Sequence, residues 1–404
     1  MKTINKKAAY IGCLGLIGII STEFGIIGIL PQLASYYEIG IGTAGYLLSA
    51  FALIIALTGP FTVLYASRFD RKKLMLLAIA IFVLSNFLSA LAPPYWLLMI
   101  LRVIPAFLHP VFVSMAITST IEGAEEKVQH RLMSIVVGGI AIAQVTIIPF
   151  STYLSAIYSW QASFVIQGFV SLAAFIGIFL LLPPMPIKER KTFGGQVAIV
   201  KRKKFIISIM TNCLIIAAWF STYGYFADYL SKVKGLNGQE VSYMLLLFGV
   251  MGVVSNFVAG RLMGKNLVKT TVFFLFGTIL LPLLFEYSNP SILSVTLIVG
   301  FWGIMYGPCF LTALAYVVSA APDAKEFANS LQLSTGNLGV TIGTAVSGWF
   351  IVQQSVSITP WVGAVFGILA LGLIAWRTHE EQKLTKNRLE YKGSITGDIQ
   401  TDSK

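Results

Sequence analysis

Twelve apolar runs, each long enough to cross the hydrocarbon core of a bilayer, follow one another along this chain of 404 residues. A membrane-spanning helix needs ~20 mostly apolar residues. The chain is 56% hydrophobic and 11% charged, whereas soluble domains carry about 25% charged residues, so its solvent must be lipid. We predict spans at 8–30, 43–65, 74–92, 96–119, 132–154, 162–182, 205–230, 241–260, 270–287, 291–319, 331–353 and 361–376.

Lysine and arginine are distributed unevenly over the segments that connect the runs. With the N-terminus in the cytoplasm, the cytoplasmic segments carry 26 of the 29 basic residues, and the opposite segments carry only Lys232 and Lys234. Cytoplasmic loops of membrane proteins are enriched in basic residues, so we predict that both termini are cytoplasmic. The formal net charge of +12 therefore reflects topology, and no nucleic-acid partner is expected.

The longest hydrophilic connection lies in the middle of the chain and separates six runs from six. We predict an N-terminal bundle (1–182), a basic cytoplasmic linker (183–204), a C-terminal bundle (205–376) and a polar cytoplasmic tail (377–404) without regular structure. The two halves match when they are shifted by 197 residues; the aligned pairs include Tyr46 with Tyr243, Leu48 with Leu245 and Phe51 with Phe248. This pattern predicts a parallel repeat.

Several short motifs are typical of one family of transporters. They are Thr22-Glu23-Phe24, Gly28-Ile29-Leu30-Pro31, Ser49-Ala50-Phe51-Ala52-Leu53, the basic loop Arg68–Lys73, Arg102 with His109, Gly138-Gly139 with Pro149, and Asn337-Leu338-Gly339. From Thr22 to about Gln353, the chain resembles the major facilitator superfamily, in particular its twelve-span drug:proton antiporter branch and the bacterial sugar, arabinose and purine efflux pumps within it. The resemblance implies an all-α fold of two pseudo-symmetric six-helix bundles in the bacterial cytoplasmic membrane.

Ionisable residues inside the runs are few, and each costs about 2.5–3.5 kcal/mol to insert, so they indicate places that face a partner or a cavity. Glu23 in the first run and Arg102 in the fourth lie at similar depth, and His109 follows Arg102 by two helical turns on the same face. We interpret Glu23 as a proton-binding carboxyl, because burial favours its neutral form and a nearby cation its charged form. The alternative is a purely structural ion pair.

The other ionisable residues allow two interpretations each. Arg102 is interpreted as the cation that adjusts proton binding by Glu23, or alternatively as a hydrogen-bonding anchor between helices. For His109, a coupling role and a place as a core histidine are equally open. Asp228 lies near the outer end of the seventh run, so it is a candidate for the outer gate or for a solvated helix end.

A basic loop between the second and third runs is a candidate for a cytoplasmic gate. Its charged residues are Arg68, Asp70, Arg71 and Lys72. Such residues can hold the cytoplasmic side closed by bonding the C-termini of helices and carboxylates of the facing half. The alternative is that the loop serves topology alone.

Polar and aromatic residues in five of the runs are candidates for the substrate cavity. They are Gln144, Tyr223, Phe226, Trp302, Tyr306, Gln332 and Asn337. Trp302 and Tyr306 are four residues apart and share a helix face. A wall of this kind suits a neutral, partly apolar solute such as a sugar, a nucleobase or an aromatic drug, although each residue could equally serve packing.

These patterns predict a secondary transporter that exports small neutral or weakly cationic molecules by alternating access, driven by protons. The alternative is uptake or uniport by the same fold without proton antiport. No nucleotide-binding loop or polar catalytic cluster occurs in the sequence, so an enzyme and an ATP-driven pump are not expected. The cysteines Cys13, Cys213 and Cys309 lie in apolar runs and predict no metal site. We expect no cofactor, a proton gradient as the energy source, lipid as the environment, and a monomer.

Overall fold

The computed structural model describes residues 2–121, 124–185 and 194–401, and every regular element within these ranges is a helix. The long helices are α1 (Lys2–Phe24), α2 (Ile41–Ala66), α3 (Arg71–Ala90), α4 (Tyr95–Ile121), α5 (Glu126–Ile142), α6 (Gln161–Leu181), α7 (Lys203–Tyr223), α8 (Gly238–Lys265), α9 (Leu267–Glu286), α10 (Ile292–Val318), α11 (Lys325–Gln353) and α12 (Thr359–Thr401). In lipid, a helix satisfies all its backbone groups internally, which is why apolar runs of this length take this form.

Three of the long helices continue past an irregular turn. A 3-10 turn (Gly25–Ile29) joins α1 to the short helix Leu30–Tyr36, and a π-helical turn (Ala143–Ile147) joins α5 to Ile148–Ile157. The seventh span continues from α7 into the short helix Phe226–Lys232. These interruptions lie within the membrane-spanning part of the chain, where irregular backbone is tolerated only when protein or a cavity surrounds it.

Eleven helices in the described part of the chain are long and apolar enough to cross a membrane. The remaining long helix is α11, which packs along α2 and α7. Its polar side chains Gln332, Ser334 and Asn337 are buried against these neighbours, so α11 lies among the spanning helices although its composition is less apolar. The predicted all-α membrane fold is therefore confirmed.

The first helix of each half occupies the centre of its half. α1 packs against α4, α5 and α6, and α7 packs in the same way against α10, α11 and α12. In the most apolar window of each span, 83% of Lys6–Tyr36 and 78% of Lys203–Lys232 is buried, against 33–56% for the other nine spans that meet the criterion. The equivalent positions of α1 and α7 agree with a repeat of six helices.

The two halves meet along two seams. In the first seam, α2 packs against α11, and a Cβ added at Gly42 would lie 2.7 Å from the carbonyl oxygen of Gly348. Only glycine permits this approach of two backbones. In the second seam, the helix Ile148–Ile157 packs against α8.

The two ends of the molecule differ in chemistry. We call the end that carries Arg68, Arg202 and Lys203 the basic side, and the end that carries Tyr37, Tyr95 and Trp160 the aromatic side. On the aromatic side, the Tyr37 ring lies 5.6 Å from the Tyr95 ring and 6.0 Å from the Trp160 ring. This clustering of amphipathic rings at one end is typical of a membrane interface.

Ion pairs fasten the start of α7 on the basic side. Both terminal nitrogens of Arg202 donate to the carboxylate of Asp323, at 2.7 and 2.6 Å, and so tie α7 to the α10–α11 connection. The hydrogen bond from the Arg202 guanidinium holds the pKa of Asp323 below its ordinary value. Because a lowered carboxyl pKa preserves the charged form in mild acid, this exposed pair persists until the pH falls through that lowered value.

The segment 377–404 was predicted to lack regular structure, and this prediction was wrong for residues 377–401, which continue α12. Arg377 is only 5% exposed and donates from Nη1 to the carbonyl of Tyr316 at 2.8 Å and to Ser208 Oγ at 2.9 Å. Its guanidinium also stacks 3.9 Å from the Tyr316 ring centre. These contacts with α7 and α10 hold the first turns of the segment.

Residues 186–193 of the predicted linker lie outside the described residues.

The packing of α7 against α11 gives a first testable prediction. A Cβ added at Gly343 would overlap the carbonyl oxygen of Ala217 and lie 3.0 Å from its Cα. We expect Gly343→Val to lower the free energy of unfolding by about 1–3 kcal/mol, because two backbones must separate. The thermal midpoint in detergent measures the effect. Gly372→Val is the control, since a Cβ there has no atom within 4 Å, and equal midpoints for the two variants would contradict the packing.

Candidate functional site

A cavity of about 400 Å³ lies between the two halves. Side chains of α1, α4 and α5 line it from the first half, and those of α7, α8, α10 and α11 line it from the second. Its lining runs from Glu23 and Phe24, deep in the membrane, toward Leu314 and Val113 nearer the basic side. A central cavity shared by two bundles is the usual place of the substrate site in repeat-built transporters.

On the aromatic side the halves are in contact and close this cavity. A Cβ added at Gly238 of α8 would lie 2.7 Å from the Cβ of Ala156. One to two turns further along the same helices, the rings of Tyr153 and Tyr243 are 6.0 Å apart. The cavity is therefore closed toward the aromatic side and extends from there toward the basic side.

Glu23 and His109 form a buried pair in the wall of the cavity. The carboxylate Oε2 of Glu23 lies 3.1 Å from Nε2 of His109, and both side chains are 4% exposed. The two atoms are at ion-pair distance, but the ring N–H is not aligned for a hydrogen bond, and Nδ1 has no partner within the described residues. An unpaired charge would be costly here, so the close contact of the two side chains lowers the cost of burying them.

Arg102 lies beside this pair but bonds the backbone of α1 instead of the carboxylate. Its Nη2 donates to the carbonyl of Glu23 at 3.0 Å, and its Nη1 donates to the carbonyl of Thr22. The guanidinium also lies 5.0 Å from the centre of the Phe51 ring. Arg102 thus joins α4 to α1 by hydrogen bonds, and its role in proton binding by Glu23 stays a prediction.

The backbone of α1 explains this arrangement. The α-helix ends at Phe24 and gives way to the 3-10 turn Gly25–Ile29, so the carbonyls of its last turn lose their regular partners. A Cβ at Gly28 would collide with the side chain of Thr152, and one at Gly25 would collide with Gln167. The close approach of these neighbours requires glycine, and Arg102 satisfies the carbonyls that the change of helix type leaves open.

Polar side chains on α3 support the same point of α1. The amide nitrogen of Asn86 donates to Thr22 Oγ1 at 2.8 Å, and Thr22 Oγ1 donates to the carbonyl of Gly18 at 2.9 Å. Asn86 and Thr22 are both almost fully buried. Thr22, the residue next to Glu23, is therefore held by Asn86 of α3 and, through its carbonyl, by Arg102 of α4.

The structure brings two of the predicted polar residues to the cavity and leaves a third in the helix packing. Gln144 and Asn337 line the cavity, together with Glu23 and His109. Gln332 instead donates to the side-chain oxygen of Asn212 at 3.2 Å, between α11 and α7. That amide is satisfied inside the second half and is not part of the cavity wall.

The four predicted aromatic residues lie together behind the cavity wall. The Phe226 ring lies 4.8 Å from the Trp302 ring, and the Tyr306 ring lies 5.4 Å from it on the other side. Tyr223 packs 6.2 Å from Trp302. All four are buried and form one cluster within the second half.

Two aromatic residues that the sequence did not single out form the wall in front of this cluster. Phe248 of α8 lies 4.6 Å from Trp302, and Trp219 of α7 lies 6.1 Å from Tyr306, and both line the cavity. Asn256 of α8 was also missed and lines the cavity. A carboxamide in the middle of an apolar run was the signal that could have found it.

The gate candidates lie at opposite ends of the molecule. Asp228 is buried near the aromatic side and contacts Lys232 at 2.9 Å within the short helix Phe226–Lys232. On the basic side, Asp70 caps α3 by accepting from the backbone N–H of Lys73 at 2.9 Å, and Lys72 donates to the carbonyl of Phe179 at 2.9 Å.

The other two residues of the basic loop are placed in the same half. The Arg68 guanidinium lies 5.9 Å from the Tyr65 ring centre, and the backbone N–H of Arg71 donates to the carbonyl of Met185 at 3.3 Å. These contacts, like those of Asp70 and Lys72, lie within the first half.

Comparison with known proteins identifies the family. The model of the Major Facilitator Superfamily matches residues 12–326. A probable sugar efflux transporter of Helicobacter pylori is 28% identical over 353 residues, which is 87% of this chain and 90% of that protein. The inner membrane transport protein YdhP of Escherichia coli is 27% identical over 364 residues, 89% of this chain and 93% of that protein.

Solved structures give the same fold. The nucleoside transporter NupG superposes with a TM-score of 0.74 at 13% identity, covering 93% of this chain and 99% of NupG. A bacterial homologue of the human lysosomal transporter Spinster, in an inward-facing and occupied conformation, superposes with a TM-score of 0.72 at 14% identity, covering 94% and 97%. The chain therefore belongs to the major facilitator superfamily and is a multi-pass membrane transporter, not an enzyme.

Proposed function

We propose that this transporter exports small neutral or weakly cationic molecules in exchange for protons, by alternating access. The observation that carries the proposal is the Glu23–His109 pair, buried in the wall of a cavity that both halves share. A carboxyl in such a wall binds a proton when the cavity faces the acidic side and gives it up when the cavity faces the other side. No cofactor is needed, because the proton gradient supplies the energy.

The pair also explains how transport of protons and of solute become linked. A lone carboxylate surrounded by apolar side chains is costly. The cavity can therefore change the side to which it opens at low cost only when Glu23 is protonated or paired with a cation. A proton and a weakly cationic solute therefore compete for the same carboxylate. A neutral solute is linked in the same way if it separates Glu23 from His109 when it binds.

The direction of transport follows from the side on which the cavity opens. We assign the basic side to the cytoplasm, because basic loops are retained there, and the protein to the bacterial cytoplasmic membrane. The described conformation then takes up solute from the cytoplasm and releases the proton into it. The names of the Helicobacter pylori relatives, which are probable sugar efflux transporters, support export.

The gates in this scheme are the residues at the two ends. Asp228 and its contact with Lys232 belong to the aromatic side, which is closed in this conformation. The residues Arg68, Asp70, Arg71 and Lys72 belong to the basic side, where they would meet the facing half once the cavity closes there. One chain contains both halves of the cavity, so a monomer suffices.

Transport in liposomes tests the proposal. The purified protein is reconstituted, and liposomes with an acidic lumen are offered a pentose, a purine base or a cationic dye. Molecules whose basic side faces the medium should carry solute into the lumen. For one-to-one exchange we expect the solute to accumulate about tenfold per pH unit, because a difference of one pH unit is worth 1.36 kcal/mol. Nigericin, which dissipates the pH gradient, abolishes this accumulation.

Protein-free liposomes control for passive trapping of weak bases in the acidic lumen. Equilibration that is carried by the protein but unaffected by nigericin would contradict proton exchange and establish uniport instead. Accumulation in the opposite direction, toward the alkaline compartment, would contradict export.

A further inference from the structure

The two seams between the halves are closed to different depths. Along the first seam, Thr341 of α11 donates to the carbonyl of Ser49 at 3.2 Å, and a Cβ added at Gly59 would lie 3.4 Å from Ser334 Oγ. Gly59 lies seven residues before the end of α2 at Ala66, so this seam is closed almost to the basic side. No side entrance to the cavity exists between α2 and α11 along this length.

The second seam is closed only in its aromatic half. There a Cβ added at Gly249 of α8 would lie 3.0 Å from the carbonyl oxygen of Gln144. The two helices run antiparallel, so that Ala156 faces Gly238 and Gln144 faces Gly249. Continuing this register toward the basic side, Ala141 faces Val253. One turn further, Val137 faces Asn256. All four of these residues line the cavity, so the two helices diverge at this point.

The gap between α5 and α8 lies at the depth of the lipid chains. Val137 is six residues inside the span that begins at Arg131, or about 9 Å, and Asn256 is nine residues inside the end of α8, or about 14 Å. A Cβ added at Gly138 or Gly260 would meet no atom within 4 Å. No other part of the described chain fills the space beside these glycines.

The flanks of the gap are apolar and continue the surface that faces lipid. Val137 is 42% exposed, and on α8 the neighbouring Val254 and Phe257 are 55% and 74% exposed. In a membrane such side chains are covered by acyl chains. Behind them, the side-chain oxygen of Asn256 is buried without a partner. The gap thus presents an apolar entrance followed by one unsatisfied hydrogen-bond acceptor.

From these observations we infer that the cavity opens sideways to the lipid between α5 and α8, and that its solute enters from the cytoplasmic leaflet. The solute class is an amphiphile that partitions into membranes and carries one or a few hydrogen-bonding or weakly cationic groups. The inference rests on the proposed function for its direction of transport and for the assignment of the basic side to the cytoplasm. The opening itself does not depend on proton exchange.

The lining of the cavity favours this class over a free sugar. Its hydrogen-bonding side chains are few: Glu23, His109, Gln144, Trp219, Asn256 and Asn337. A hexose would bring five hydroxyl groups into a wall that is otherwise aliphatic and aromatic. Each buried hydroxyl left without a partner costs about 1–3 kcal/mol. An amphiphile places its apolar part against Phe248 and Trp219 and its polar group near Glu23.

Fluorescence quenching by lipids tests the opening without any transport measurement. Cys13, Cys213 and Cys309 are replaced by alanine, Val253→Cys is introduced and labelled with bimane, and the full-length protein is reconstituted with phosphatidylcholine that carries a doxyl group on its acyl chain. We expect quenching several-fold stronger than for bimane on Ser334→Cys, which lies in the closed seam. Equal quenching at the two positions overturns the inference.

A second variant tests whether solute uses the gap. The Val137→Trp variant fills the entrance. We expect it to raise the KM for a lipophilic cationic dye about tenfold, which corresponds to a loss of 1.4 kcal/mol of binding free energy, with little change in kcat. Ile368→Trp is the control, because this residue is 55% exposed on α12, which forms neither seam. An unchanged KM for Val137→Trp overturns the route. Lipid quenching in a protein that shows no proton-driven export refutes the proposed function and leaves the opening in place.

Discussion

Proton-driven export should disappear in the Glu23→Gln variant. Glutamine keeps the size and hydrogen-bonding ability of the side chain but can neither bind nor release a proton, so the step that links the gradient to the solute is lost. We expect accumulation in liposomes with an acidic lumen to fall to the level of equilibration, a loss of about tenfold for each pH unit imposed. Exchange of labelled for unlabelled solute, which needs no net proton movement, should continue.

An exposed carboxylate provides the control for this variant. Glu286→Gln removes a charge near the end of α9, outside the cavity, and should leave accumulation unchanged. Undiminished gradient-driven export by Glu23→Gln would exclude Glu23 as the proton site. Replacement of the partner, in His109→Gln, should instead weaken the linkage, because Glu23 can still be protonated but no longer shares its proton with a fixed base.

Loss of Arg102 should cause the largest loss of stability. In Arg102→Met the carbonyls of Thr22 and Glu23 keep their place among apolar side chains without a donor. Hydrogen bonds to a charged group contribute about 1.5–3 kcal/mol each, so we expect the free energy of unfolding to fall by about 3 kcal/mol or more. Thermal unfolding in detergent measures this loss as a lowered midpoint.

Two further variants separate charge from geometry. Arg102→Lys restores the positive charge, but a single ammonium group does not reproduce the planar fork that reaches both carbonyls, so it should recover only part of the stability. Arg261→Met, at an exposed position on the basic side, should leave the midpoint nearly unchanged. Full recovery by Arg102→Lys would show that the charge near Glu23, and not the backbone contacts, is what matters.

The fold could be predicted from the sequence because lipid leaves few choices. Apolar runs in a membrane must be helices, and their number and order follow from hydropathy. The first turns after residue 376 were mispredicted because the contacts that hold them join residues that are distant in sequence. Arg377 donates hydrogen bonds to Ser208 and Tyr316 on other helices, and the local composition does not indicate these contacts.

The sequence identified Glu23, His109 and Arg102 as buried ionisable residues, but it did not show which of them lie in contact. Depth alone made Arg102 the expected partner of the Glu23 carboxylate, whereas the structure gives that place to His109. The reason is the change of helix type at Gly25, which frees carbonyls that attract the guanidinium. Hydropathy does not encode such a change, although the glycines in this stretch hint at one.

The aromatic residues show a second limit of sequence reasoning. Trp302 and Tyr306 do share a helix face, as their spacing indicates, but that face is turned into the packing of the second half. In a soluble protein the polarity of a face separates core from surface. In this protein the core, the lipid and much of the cavity wall are all apolar, so periodicity cannot tell them apart, and Trp219 and Phe248 were missed.

The central positions of α1 and α7 have a consequence for how the protein is made. Each is the first helix of its half to leave the ribosome, yet 83% and 78% of their most apolar windows are buried by helices that are synthesised later. Glu23 therefore has neither Arg102 nor His109 beside it while α2 and α3 are synthesised. Both residues become available only when α4 is inserted. We expect the insertion machinery to retain α1 until then, so that release in pairs or groups of helices, and not one by one, is the route of assembly.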